Sequence, residues 1–294
     1  GHFPSQTMYE VLGYCAFLTV VSTAVLVYVL DLNRTRETGG GMGHLLLGVA
    51  LLGACALVWF RALGLDTGDK NLPPALQSYW FIPHITALIF SYVTLTIAYL
   101  AALAYFGLLF ARGLLEGGVP RSKMWAIGLF TWAPFAFVVN VPVVLGCILL
   151  RAWARRRGWS ANLDGWLEGV DDFTYRIFST GFPFLTAGLM MGALWAQEAW
   201  ANYWGWDSKE VSALISWLVY VVYLHLRWVG GWRGEKGLWI LLVGAVSILI
   251  TFQLFGYLPE SVDSLHKYTG DFGLQSGGEG GAVEGRTGIG LEGN

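Results

Sequence analysis

The sequence predicts an all-α polytopic membrane protein with about six full transmembrane helices plus one broken or re-entrant hydrophobic segment. Three observations carry that expectation. Charged side chains make up 13% of the 294 residues, against about 25% in soluble domains, too few to coat a water-soluble globule of this size. Hydrophobic residues make up 55% and fall into runs of the roughly 20 residues that a helix needs to cross a hydrocarbon core. Basic residues concentrate in the links between alternate runs, and Lys and Arg in short links favour the cytoplasmic side.

The expected spans lie at about 9–30, 42–62, 79–111, 173–195, 210–228 and 237–257. Arg34 and Arg36 follow the first span, and Arg112, Arg121 and Lys123 follow the third. Arg151, Arg155, Arg156 and Arg157 precede the fourth, while Arg227, Arg233 and Lys236 are expected in the link between the last two. With these links cytoplasmic, links 63–78 and 196–209 and the stretch from 258 onward face outward, and they carry only Lys70, Lys209 and Lys267 before the tail. The remaining apolar stretch, 124–150, then begins and ends on one side. Pro134, Asn140 and Pro142 interrupt it, which suits a broken or re-entrant hairpin or a segment lying in the interface, because proline removes helical hydrogen bonds. The alternative is one ordinary span with a basic link on the wrong side. The expected organisation is a polytopic membrane domain over 1–269 with an insert at 113–160, then a Gly/Glu-rich, disordered tail over 270–294. The start, Gly-His-Phe-Pro, reads as a chain that begins partway through a longer protein.

The formal net charge of −2 argues against nucleic acid as a partner, leaving the lipid bilayer as the first surface this chain meets. Cys15, Cys55 and Cys147 stand alone in apolar runs with no CxxC or CxxCH, so neither a disulfide framework nor a c-type haem attachment site is expected.

The segment from Trp195 to Glu210, WAQEAWANYWGWDSKE, holds four tryptophans within twelve residues: Trp195, Trp200, Trp204 and Trp206, joined by Tyr203. Interfacial belts of Trp and Tyr are common in membrane proteins, but a belt scatters one or two aromatics per helix end. Four in one external segment, beside Asp207, Lys209 and Glu210, suggest a surface for something flat and apolar such as a porphyrin. Imidazole is a usual axial ligand of haem iron. Of the five histidines, His84 lies at the outer start of the third span, His266 just beyond the outer end of the last, and His2 outside as well. His84 and His266 can therefore flank the tryptophans on one membrane face as ligands of an outer haem iron. Singly, each reads more readily as an ordinary polar interfacial histidine than as a ligand; sharing a side with the tryptophans shifts that reading. His44 and His225 sit near the inner ends of their spans, and an ionisable residue inside a span is a functional candidate. Together they could ligate a second, membrane-embedded haem; for His44 a structural hydrogen bond is an equal reading.

At these residues the chain resembles the CcsA/ResC family, the haem-handling membrane proteins of system II cytochrome c biogenesis. The resemblance is strongest over 175–227, which contains that family's tryptophan-rich WWD signature, and extends to LPPALQSYWFIPH at 72–84, GHFPSQTMYE at 1–10 and LFGYLPESVDSLHKY at 254–268. It implies that His84 and His266 are the external haem ligands, that Trp200, Trp204, Trp206 and Asp207 are the signature core, and that His225 holds haem in transit. Haem b (iron protoporphyrin IX) is the implied cofactor, apocytochrome c and a Ccs1/ResB-type membrane partner the implied companions. The implied activity is presenting haem for thioether attachment, as part of a cytochrome c haem lyase (synthetase) complex. The implied location is a bacterial inner membrane or its equivalent, with the WWD segment on the outer, periplasmic side. Ser208 departs from the family, which usually has proline there, and is expected to loosen the turn after Asp207. The approach to His266 is more polar than usual, with Glu260 and Asp263, the family's earlier N-terminal spans are missing, and the insert 124–150 stands where a hydrophilic loop is typical. A cytochrome b-like electron-transfer subunit linking quinone to an external multihaem partner fits the same residues; the broken segment 124–150 suggests a small-molecule transporter, which leaves the tryptophans unexplained.

Overall fold

The computed structural model describes residues 8–29, 54–55, 58–59, 78–116, 141–149, 152, 156 and 163–253. Five long helices fill most of this range: α1 (Met8–Ala24), α2 (Phe81–Glu116), α3 (Leu163–Trp200), α4 (Ser208–Trp228) and α5 (Glu235–Gln253). A π-helical turn, Val25–Val29, continues α1, and a short helix lies at 141–149. Apart from 54–55 and 58–59, which are helical, the second expected span lies outside the described residues, and so does 124–140 of the expected hairpin.

Among the described residues, three helices are long and apolar enough to cross a bilayer: Phe81–Leu115, Leu163–Trp200 and Ser208–Trp228. At 36 and 38 residues, α2 and α3 run about 54 and 57 Å, nearly twice a hydrocarbon core of about 30 Å. The expected span 173–195 is thus only the middle of α3. Its first turns carry Asp164, Glu168, Asp171, Asp172 and Arg176, which end an apolar run without ending a helix. Pro83 sits in the first turn of α2, where its missing N–H costs nothing, whereas Pro183 is interior to α3 and the helix continues through it.

α2 and α3 pack antiparallel along a glycine face. A Cβ on Gly181 would lie 2.1 Å from Thr94 Oγ1, one on Gly188 2.6 Å from Leu88 Cδ2, and one on Gly192 2.7 Å from His84 Cε1. In lipid no hydrophobic force pulls two apolar helices together, so small residues that admit close van der Waals contact decide where they meet. The α3–α4 interface is built differently, from rings: Phe178 meets Tyr220 and Tyr223 at 5.1 and 4.8 Å between centroids, and Phe182 stacks on Trp217 at 6.1 Å. Trp217 Nε1 donates to Thr186 Oγ1 at 3.0 Å. α5 returns antiparallel to α4, joined by a 2.6 Å hydrogen bond between Ser216 and Ser247, with Gly244 against the Tyr220 ring. Trp239 on α5 closes onto Phe106 of α2 at 4.5 Å. The four helices thus surround a core of Phe106, Phe178, Tyr220, Tyr223, Leu238, Leu241 and Leu242. α1 lies outside α2, tied by Tyr14 O–H donating to Thr86 Oγ1 at 3.2 Å.

The outer surface is apolar, with Phe184, Met190, Ile215, Leu218, Val222, Val243, Val246 and Ile250 exposed, as a lipid-facing surface requires. Arg227 corrects the expectation from sequence. It is not a charge in the α4–α5 link but a buried side chain in the last turn of α4, forked onto Asp171 of α3 at 2.9 and 3.0 Å. Tyr175 lies 4.3 Å from the guanidinium carbon and accepts from Trp228 Nε1 at 2.7 Å. Planar bidentate pairing satisfies a charge that would otherwise be costly to bury. Arg233 and Lys236 remain exposed beside it, at the turn into α5.

Candidate functional site

The N-terminus of α2, the C-terminus of α3, the link 201–207 and the N-terminus of α4 meet at one end of the bundle. Ser78 opens this end. Its Oγ accepts from Trp80 N at 3.1 Å and donates to Glu198 Oε2 at 2.5 Å, which fastens the entry of α2 to α3.

His84 lies one turn into α2, its ring against α3. Nδ1 is 2.7 Å from the carbonyl oxygen of Gly188. A carbonyl only accepts, so Nδ1 carries the hydrogen and the lone pair sits on Nε2. Metal-bound histidines characteristically donate their second ring nitrogen in this way. The ring stacks on Trp195 at 5.7 Å and 21°, with Phe81 on the same indole at 5.7 Å and 53°. Trp195 itself is 3% exposed. It supports the histidine from beneath and does not form an open surface. Trp200 packs on it at 5.0 Å.

The aromatic surface belongs instead to the link. Ala201 ends α3 with φ +56°, and Trp206 has the same φ, a left-handed conformation that costs a non-glycine residue roughly 1–2 kcal/mol. Strain of this kind persists only where surrounding bonds hold it. Glu210 Oε2 accepts from both Gly205 N, at 2.8 Å, and Asp207 N, at 3.2 Å, so the N–H groups of the two residues flanking Trp206 hang from one carboxylate oxygen. Asp207 caps α4 by accepting from Lys209 N at 3.0 Å, and Asn202 Oδ1 accepts from Trp204 N at 3.3 Å. Trp206 is pushed out to 73% exposure, edge-on to Trp204 at 5.9 Å, and Tyr203 is exposed beside them. Trp204 Nε1 is buried with no hydrogen-bond partner among the described residues.

Two expectations change meaning here. Asp207, expected on the cofactor, has its carboxylate occupied as the helix cap. Ser208 does not loosen the turn. It takes the first helical position, where proline is equally at home, and its Oγ donates to Asp207 Oδ1 at 3.1 Å. Glu210 was read from the sequence only as a charge beside the tryptophans and not as the clamp of the link, although Asp-x-x-Glu ahead of an apolar run is the signature of a capping box. Gly188 and Gly192 were also missed; their spacing of four, after Gly181 seven earlier, was the available sign of a packing face.

The other histidines are not brought to this site by the described structure. His225 lies on α4 about 26 Å of helix rise from Ser208, exposed, on the outward stripe of Ile215, Leu218 and Val222. His2, His44 and His266 fall outside the described residues, and so does any meeting of His84 with His266 or of His225 with His44.

Comparison with known proteins is decisive about kinship. The family described as cytochrome C assembly protein matches residues 8–262. The chain belongs to this family. Within it, the cytochrome c biogenesis protein CcsA of Chlamydomonas reinhardtii is 31% identical over 279 residues, covering 91% of this chain and 61% of its own length. The CcsA proteins of Marchantia polymorpha and Gloeobacter violaceus are each 30% identical, over 91% of this chain and 79% and 78% of theirs. The resemblance to the CcsA family read from the tryptophan signature therefore holds along nearly the whole chain.

Proposed function

We propose that this chain acts in cytochrome c maturation by binding haem b at the outer membrane face and presenting it for covalent attachment to apocytochrome c. The observation that carries the reading is the setting of His84. A histidine whose Nδ1–H is consumed by a backbone carbonyl holds its lone pair on Nε2, at the same end of the bundle as an exposed, bond-fixed tryptophan. Those are the two things a porphyrin needs from a protein: a nitrogen for the iron and a flat apolar face for the ring. The names of the relatives point the same way.

Haem is the cargo here, and it supplies the vinyl carbons to which cytochrome cysteines add. The chain's own residues bind and orient. His84 holds one axial position of the iron, and His266 holds the other. Trp206, Trp204 and Tyr203 cover the ring and keep water from it, while Trp195 and Trp200 back the histidine. His225, with its imidazole turned outward toward lipid or a partner subunit, is the candidate for a second haem on the opposite half of the membrane, with His44 as its companion. Arg233 and Lys236, exposed at the α4–α5 turn, favour the cytoplasmic side for that end, which would put the tryptophans outside. A ResB-type membrane protein supplies the remaining surface.

The test is an absorption spectrum of the purified chain before and after dithionite, for wild type, His84→Ala and His266→Ala. Loss of the outer-site Soret and reduced α bands in both variants, with normal membrane insertion, is the expected result. Spectra identical to wild type in both would refute the ligand assignment. Haem that never leaves for an added apocytochrome would redirect the function toward electron transfer.

A further inference from the structure

What seats His84 is not the tryptophan signature but two glycines of α3, one turn apart. Gly188 offers its carbonyl oxygen to Nδ1 at 2.7 Å. Gly192 supplies the room, because a Cβ there would lie 2.7 Å from Cε1 and 3.0 Å from Nδ1. Trp195, three residues further on, adds a nearly parallel ring face. One imidazole is thus held by a hydrogen bond, by a missing side chain and by a stacked indole, all from a single stretch of α3.

We infer that Gly188 and Gly192 are positioning residues that select the Nδ1–H tautomer of His84 and aim Nε2 at iron; the inference rests on the haem reading above. Selection is needed because a histidine side chain in water favours the opposite tautomer, with its hydrogen on Nε2, the nitrogen a ligand must keep bare. The carbonyl of Gly188 reverses that preference locally. It also makes the ring a stronger donor, since an acceptor on the second nitrogen raises the basicity of the first and so favours ferric iron. Gly192 allows this only while it lacks a side chain: a methyl group would push the ring off the carbonyl, and α3 has little room to yield there, since Leu88 leaves no space even for a Cβ at Gly188.

Gly181 provides an internal control. It belongs to the same helix face, and a Cβ there would meet Thr94 Oγ1 at 2.1 Å, a worse collision than at Gly192. Yet it lies about 17 Å of helix rise from Gly192 and does not touch the histidine. Gly181→Ala therefore reports helix packing alone.

The experiment uses the full chain in detergent micelles with 15N-labelled histidine. In the haem-free wild type at pH 8, the His84 ring should show a protonated Nδ1 and a bare Nε2. Gly192→Ala should lose that pattern, weaken haemin binding by about 10–100-fold and raise the haem midpoint potential. Gly181→Ala should lower thermal stability while leaving tautomer, affinity and potential unchanged. The inference is overturned if the wild-type ring carries its hydrogen on Nε2, if Gly192→Ala matches wild type in tautomer and potential, or if Gly181→Ala reproduces every effect of Gly192→Ala. A wild-type chain that takes up no haem overturns the proposed function and the iron half of this inference, and the haem-free tautomer then decides whether the glycine seat exists.

Discussion

Glu210→Ala should release the tryptophan link. One carboxylate oxygen holds Gly205 N at 2.8 Å and Asp207 N at 3.2 Å, and between those peptides Trp206 sits at φ +56°. Each bond contributes about 1 kcal/mol net, so the variant withdraws about 2 kcal/mol from a conformation in which Ala201 and Trp206 each cost roughly 1–2 kcal/mol. At 1.4 kcal/mol per tenfold, the presented conformer loses up to about thirtyfold in population against the released one. A ligand that needs that conformer then binds more weakly by the same factor at most. Water competes for both amides in this exposed link, which makes thirtyfold the upper end. Glu210→Gln keeps an acceptor oxygen in place and should retain most of the effect. Hydrogen exchange over residues 201–207 reads the change without any haem: faster exchange at Gly205 and Asp207 in the alanine variant, near wild-type exchange in the glutamine variant. Unchanged protection in Glu210→Ala, or equal loss in both variants, would show that something other than this carboxylate holds the link.

Ala201→Gly should stabilise the chain by about 1 kcal/mol, because Ala201 is exposed and left-handed and glycine adopts that conformation without penalty; a drop in unfolding midpoint would contradict the cap geometry. Asp171→Ala strands a buried guanidinium and should cost about 3–5 kcal/mol, measured by denaturant unfolding in micelles. The double replacement Asp171→Leu with Arg227→Met should recover most of that loss, and a double variant no more stable than the single one would mean the pair is not the source.

The sequence marked His84 and the tryptophan segment, which the structure brings to one end of the bundle, but not how they are held there. Hydropathy runs located α2 to α5, and for α2, α3 and α4 the reason is that a helix able to cross lipid must be apolar over that path. They could not place the helix ends, since α3 needs no apolar residues once it leaves the bilayer, and so Asp171 stayed outside the expected span and Arg227 was assigned to a link. The tryptophan-rich segment was legible as a cluster. Its division of labour was not: Trp195 is buried under His84 and Trp206 is thrust outward, and both follow from where α3 ends rather than from residue type. The seat of His84 depends on α2 lying against a glycine face more than a hundred residues later in the chain, a pairing with no local trace. His266 and His44, on which the two-histidine arrangements rest, lie outside the described residues.

The placement of these parts along α3 has a mechanical consequence. Gly188, Gly192, Trp195, Glu198 and Trp200 fall within its last 13 residues, a length of about 20 Å. Through the first three this stretch holds the His84 ring, through Glu198 it holds the entry of α2, and at Trp200 it runs directly into the link that presents Trp206. The remote end of the link is fixed in turn by the α4 cap, and α4 is locked to α3 by Trp217–Thr186 and by the Asp171–Arg227 fork. The candidate ligand and the aromatic surface therefore hang from one rigid support and not from two helices free to separate. Rocking of α1 or α5 against the bundle would carry histidine and tryptophan together. A site that must take up a large flat molecule and later give it away can vary access by moving its other wall while the distance from Nε2 to the ring surface stays constant. On this support a wall that moves has to come from elements other than α3.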